Sequence, residues 1–184
     1  MDHPWNSLVA CLTGVPNKLA VIDGGRKFTY QDFHTRCSRL GAFLQSQGVS
    51  QGSGIGALLP NIHETMEAHF AAAWLGASIV NLNTRLVAHE LAYILDDSLP
   101  ETVIVHHGLL DRVLEAMSHS GSASSVKLIL VVRSPGLGET AAILTEHSVT
   151  ATCREYEEAM DEDLSKGSES FGLKSGTDMS QPYQ

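Results

Sequence analysis

The chain has 184 residues, 43% of them hydrophobic, which suffices for one ordinary domain with a sizeable core. Lys and Arg number 12 against 21 Asp and Glu, a formal net charge of −9, and this argues against nucleic-acid binding, where a basic stripe is the rule. The three cysteines, Cys11, Cys37 and Cys153, are odd in number, far apart and without CxxC spacing, so a thiolate metal site is not indicated and free thiols suit a reducing compartment.

Met1-Asp2-His3-Pro4 shows no basic region leading into an apolar run, so no secretory signal is expected. The most apolar long stretch, Phe70 to Val80, falls far short of the roughly 20 residues of a membrane span. A cytoplasmic protein without a transmembrane segment is the expectation.

Residues 1–17 read as a short leader with a helical turn around Ser7 to Leu12, stopped by Gly14 and Pro16. Leu19–Asp23 and Arg26–Thr29 flank an Asp-Gly-Gly turn and predict a β-hairpin. Tyr30, Phe33, Cys37, Leu40 and Leu44 then recur at helical steps, with Thr29 placed to cap and Asp32 three residues on. Gly48 supplies a left-handed stop.

Beyond it, strands are expected at Ile55–Leu59, Ser78–Leu82, Thr102–Val105 and Val126–Val132. Helices are expected from Ile62 to Leu75, around Val87 to Asp97 and from Leu109 to Met117. The strands are short and apolar without strict alternation, as in parallel strands covered on both faces. The predicted fold is α/β: an N-terminal β-hairpin and helix, then a doubly wound, mostly parallel β-α-β-α-β-α-β sheet. The Ile62–Leu75 helix is small and apolar almost all round, with Ala68, Ala71, Ala72 and Ala73 and a Gly76-Ala77 joint after it, so it is expected to be enclosed. The organisation reads as leader 1–17, domain 18–135 and a tail 136–184. Within that tail Ala141–Leu144 could form a helical turn, the acidic stretch 154–163 reads as a solvated face or spacer, and the remainder is Ser/Gly-rich and loosely ordered.

Several constellations invite a chemical reading, and none survives it. Gly52, Gly54 and Gly56 enter a strand, whereas a phosphate loop leaves a strand and opens a helix, so they read as a close approach into a buried strand. His63-Glu64 opens HETME, but Glu67 stands where a zincin helix needs its second His. His69 is six residues from His63, on another face, and both read as surface or helix-end histidines. His106-His107 end a predicted parallel strand, where such sheets hold ligands, but adjacent side chains are expected to point apart. Ser175-Gly176-Thr177 is followed by Asp178, whose charge would repel a phosphate. No catalytic, cofactor-binding or metal-binding residue is assigned. On these residues alone, a flavodoxin-like domain holding a nucleotide or flavin at its strand ends remains an alternative.

In chain order, further pieces carry a resemblance: Pro16-Asn17-Lys18-Leu19-Ala20-Val21, Phe28-Thr29-Tyr30-Gln31-Asp32-Phe33, Leu58-Leu59-Pro60-Asn61 with Glu64, Leu75-Gly76-Ala77, Leu82-Asn83-Thr84-Arg85-Leu86, and Glu90 to Ser98. Over roughly residues 15–133 the sequence resembles the N-terminal part of the AMP-binding, adenylate-forming acyl-CoA synthetases. Two departures stand out. Gly52-Ser53-Gly54-Ile55 replaces the family's usual Gly-Asp-Arg-Val, and Val87-Ala88 replaces a Thr-Pro helix cap. Each is expected to cost about 1 kcal/mol of local stability and to leave the chemistry untouched.

The resemblance implies a parent reaction in which ATP, with Mg²⁺, activates a carboxylic acid to an acyl-adenylate that CoA converts to a thioester. It also implies motifs not found here: a Ser/Thr/Gly-rich phosphate loop ending in Pro-Lys, an aromatic-Glu motif, a ribose-binding Asp and a C-terminal catalytic Lys. Asp178–Gln184 is similar to the lead-in to that loop. The expectation is an incomplete ligase domain, inactive alone. The alternative is a non-catalytic binding or regulatory module that pairs with a full-length ligase through exposed apolar surface.

Overall fold

The computed structural model describes residues 4–119, 121, 125–133 and 150–161. Helix α1 (Pro4–Gly14) leads into a hairpin of β1 (Leu19–Asp23) and β2 (Arg26–Thr29). After α2 (Tyr30–Ser46), β3 (Gly54–Leu58), α3 (His63–Leu75), β4 (Ser78–Asn81), α4 (Ala88–Ser98) and β5 (Thr102–His106) alternate. A 3₁₀ turn (His107–Leu109) precedes α5 (Leu110–His119), followed by β6 (Leu128–Val132), β7 (Thr152–Glu155) and α6 (Tyr156–Asp161). The five-stranded sheet runs β4-β3-β5-β6-β7, and each neighbouring pair is parallel.

Alternate residues of the central strands serve opposite layers, as the two-residue period of a strand requires. Ile104, Leu128, Leu130 and Val132 join Leu40, Phe43 and Leu44 of α2, Ala68, Ala71 and Ala72 of α3 and Tyr156 of α6 on one face. Val103, Val105, Ile129 and Val131 meet α4 and α5 on the other. The doubly wound expectation therefore holds. A third cluster packs the hairpin's Val21 and Phe28 against Leu8, Phe33 and Cys37.

Local signals act as their chemistry dictates. The Thr29 side chain accepts from the Asp32 N–H at 3.1 Å, and Asp32 Oδ2 accepts from the Thr29 N–H at 3.0 Å, closing a capping box on α2. Helix α4 has no side-chain cap at Val87 but keeps the other half of the box, with Glu90 Oε2 accepting from the Val87 N–H at 3.0 Å. A Cβ at Gly54 would stand 3.2 Å from Pro100 Cα, so this glycine marks the close approach anticipated for the strand entry.

Three expectations need correction. Helix α1 spans Pro4–Gly14, longer than the one turn foreseen, because Trp5 stacks on Trp74 at 5.5 Å and Leu8 is buried. Helix α3 is buried along one face only, through His63, Glu64, Glu67, Ala68, Ala71 and Ala72, and Met66 stays 43% exposed. The sheet does not end before Pro135: residues 152–161 of the expected tail form β7 and α6, because Tyr156, Ala159 and Met160 fill the α2–α3 layer. The helical turn foreseen at Ala141–Leu144 and the final Ser/Gly-rich stretch lie outside the described residues.

Candidate functional site

The first turn of α3 carries the polar centre of the molecule. His63, Glu64 and Glu67 project from a helix otherwise rich in alanine, and they are 2%, 4% and 0% exposed. Buried charge is tolerated only when paired. The partners come from four other elements. Asp23, at the end of β1, accepts from the His63 backbone N–H at 3.0 Å and lies 2.7 Å from its ring Nδ1. Arg36 of α2 donates from Nε to Glu67 Oε1 at 2.5 Å and from Nη2 to Oε2 at 3.2 Å. The Tyr156 hydroxyl of α6 donates to Glu67 Oε2 at 2.9 Å. Arg36 also binds Glu157 through Nη1 at 3.1 Å and Nη2 at 2.7 Å. Arg26 of β2 stands 3.6 Å from Glu64 Oε1. Phe28 covers one face of the His63 ring at 4.7 Å.

The electrostatics follow from this layout. The His63 ring and backbone N–H groups hold the Asp23 carboxyl below its usual range. Burial raises Glu64, and the Glu67 charge adds to that. Burial works against ionised Glu157, yet the Arg36 hydrogen bonds win and lower its pKa. Burial lifts the Tyr156 phenol well above its ordinary value, with Glu67 reinforcing the effect. Two buried polar atoms of the cluster, His63 Nε2 and Glu64 Oε2, have no hydrogen-bond partner.

His63 does stand at a helix end, as the first residue of α3, but it is no surface histidine, because the hairpin closes over it. His69 behaves more as expected, exchanging a 3.0 Å hydrogen bond with Asn81 Oδ1. The rings of His106 and His107 do not point apart. Their centroids are 4.4 Å apart because His107 begins a 3₁₀ turn and does not extend the strand. Burial, and then His107, lower the pKa of His106. A groove of 570 Å³ between α4 and α5 is lined by Arg85, His89, Asp111, Arg112 and Glu115. Its Arg112 is engaged, donating to the Thr84 and Leu86 carbonyls at 2.6 and 3.1 Å and so fixing the loop before α4. Ser175-Gly176-Thr177 lies outside the described residues.

Sequence spacing could not assemble the cluster, since Asp23 and His63 are 40 residues apart and Arg36 and Glu157 are 121 apart. The available signal was three ionisable residues at i, i+1 and i+4 on an alanine-rich helix.

A family model described as "AMP-binding enzyme" matches residues 10–166. The chain belongs to the AMP-binding enzyme family. It is 31% identical over 114 residues to the peroxisomal trans-cinnamate:CoA ligase of Petunia hybrida, covering 62% of this chain and 20% of that protein. It is 34% identical over 118 residues to a 3-oxocholest-4-en-26-oate–CoA ligase of Rhodococcus rhodochrous, covering 64% and 21%. The chain thus spans about a fifth of the length of these relatives. The fold matches that of the anthranilate CoA ligase AuaEII, solved with anthranoyl-AMP, at a TM-score of 0.70 and 24% identity, over 86% of this chain and 28% of that one. It also matches a benzoate CoA ligase of Burkholderia xenovorans at a TM-score of 0.67 and 20% identity, over 88% and 29%. No helix among the described residues is long and apolar enough to cross a membrane.

Proposed function

We propose that the chain supplies the N-terminal scaffold of a carboxylate–CoA ligase, whose reaction is ATP-dependent formation of an acyl-adenylate followed by transfer to CoA. The observation that carries this reading is the family match over residues 10–166. The relatives' names run from cinnamate and a sterol acid to acetate and butyrate, so aromatic, sterol and short-chain carboxylates are the first substrates to try.

By itself this chain is proposed to be inactive. Adenylation requires fixed cationic and N–H donors around the triphosphate as charge develops. The N-terminus of α3 already presents the Asp23 carboxylate to its first N–H and holds Glu64 and Glu67 beside it. These charges repel a triphosphate, so this terminus does not fit ATP with its Mg²⁺. The test is an ATP–pyrophosphate exchange assay on the purified 184-residue chain with cinnamate, benzoate and a sterol acid. No exchange is expected, and turnover above a heat-killed control would refute inactivity.

A second reading, a non-catalytic module pairing with a full-length ligase, draws support from the surface. Strand β4 has one sheet neighbour, and Ile22, Tyr93 and Leu99 are 63%, 74% and 52% exposed. Light scattering of the chain alone and mixed with a ligase separates the two, since the scaffold reading expects no complex. The cytoplasmic assignment rests on Cys11, Cys37 and Cys153 being free thiols, and imaging of a tagged chain checks it.

A further inference from the structure

We propose that Asp23, His63 and Glu64 form a binding site for a divalent cation of the Zn²⁺ class, ligated through Asp23 Oδ2, His63 Nδ1 and Glu64 Oε2. This inference is independent of the ligase reading. The three donor atoms lie within 4.8 Å of one another. His63 Nδ1 is 2.7 Å from Asp23 Oδ2 and 3.1 Å from Glu64 Oε2. A tetrahedral ion with bonds of about 2.1 Å needs donors about 3.4 Å apart, so the two separations must widen by about 0.7 and about 0.3 Å to open the site. One imidazole nitrogen with two carboxylate oxygens favours Zn²⁺ over Mg²⁺ or Ca²⁺, which prefer oxygen alone.

The unpartnered atoms give the second observation. Glu64 is 4% exposed, its Oε1 faces Arg26 at 3.6 Å, and its Oε2 has no hydrogen-bond partner while facing the His63 ring. His63 Nε2 is also buried and unpartnered, with Glu67 Oε1 4.0 Å away. Without an ion, Nδ1–H donates to Asp23 and Nε2 is stranded. With an ion on Nδ1, the ring proton moves to Nε2, which stands 4.0 Å from Glu67 Oε1. A closer approach of the two would give the carboxylate–histidine–metal arrangement that orients ligating imidazoles.

The positive end of the α3 dipole opposes a cation, but it amounts to about half an elementary charge, against a full charge on each ligating carboxylate. The Arg26 guanidinium sits at the rim, 46% exposed, where water screens it. Asp23 is 28% exposed, which provides the entry path and room for a water ligand.

The test is calorimetric titration of the chelator-stripped full chain with ZnCl₂, with MgCl₂ as comparison, and absorption spectroscopy with CoCl₂. The expected result is one saturable Zn²⁺ per chain, no heat with MgCl₂ at the same concentrations, and Co²⁺ ligand-field bands of a four- or five-coordinate site. Asp23→Asn, Glu64→Gln and His63→Gln should each weaken Zn²⁺ binding at least tenfold, while a His106→Ala/His107→Ala variant binds as before. If the three variants fail to fold, proton NMR of the Co²⁺-loaded wild type decides. A shifted imidazole N–H protected from solvent, as buried Nε2 requires, supports the site, and its absence overturns it. The proposal is also overturned if the wild type shows no saturable binding, if folded Asp23→Asn and His63→Gln bind unchanged, or if binding is lost with His106 and His107.

Discussion

Arg36 Nε meets Glu67 Oε1 at 2.5 Å, tying the middle of α2 to the first turns of α3. Glu67 is fully buried and the Arg36 side chain is 17% exposed, so this pair sits where the loss of one partner strands the other. Glu67→Ala should therefore destabilise the chain by about 3 kcal/mol, as for other broken buried pairs. The double variant Arg36→Met/Glu67→Leu should lose less than the sum of its single changes. Urea unfolding of the four proteins checks this, and strict additivity would show that the pair is not coupled.

Trp74 lies flat against Gly41. A Cβ at position 41 would stand 2.1 Å from Trp74 Cε3, an impossible distance, so the indole must move. That displacement breaks its stacking on Trp5. Gly41→Ala is expected to cost about 1–3 kcal/mol, the usual penalty of overpacking. Tryptophan emission should shift to the red as the rings become wetter. An unchanged spectrum and midpoint would mean that α2 and α3 separate at little cost.

Acid should act on Asp23 and Glu64 in opposite senses. The folded state holds Asp23 below its ordinary 3.8, so it favours the ionised form. That stabilisation is complete above about pH 4 and is lost as the pH falls through the lower, folded value. Glu64 is raised above its ordinary 4.5, so its contribution is greatest below that value and fades as the pH rises through the folded one. Asp23→Asn should flatten the loss of stability below about pH 4, and Glu64→Gln should flatten the trend above about pH 4.5. Denaturant midpoints across that range distinguish the two residues.

Leu99 ends α4 at φ 45°, a left-handed conformation that non-glycine side chains rarely adopt. Its side chain is about half exposed, so little burial offsets the strain. Leu99→Gly should raise stability by about 1 kcal/mol, the order of the left-handed penalty. A lower melting temperature would indicate that Leu99 makes a compensating contact.

Much of the scaffold could be read from the chain because its signals are local. The Thr29–Asp32 box, the stripe from Tyr30 to Leu44 and the short apolar strands each depend on residues near one another. Hydrophobic periodicity therefore sufficed for the hairpin and the βα alternation. The acidic stretch 154–163 misled because its charge suggested solvent, whereas Tyr156, Ala159 and Met160 supply a buried face only when α2 and α3 are there to receive it. Helix α1 was likewise underestimated, since its partner Trp74 lies far along the chain.

The sequence by itself determined the α/β alternation, the family and the burial of the central strands, since each is written in composition, period and motif order. Tertiary structure alone decided that Asp23, Arg36 and Tyr156 converge on His63, Glu64 and Glu67. Ionisable side chains carry no periodic signature of their partners. Whether they face water or one another depends on which elements the fold lays across them, and here a hairpin and a late helix close over the start of α3.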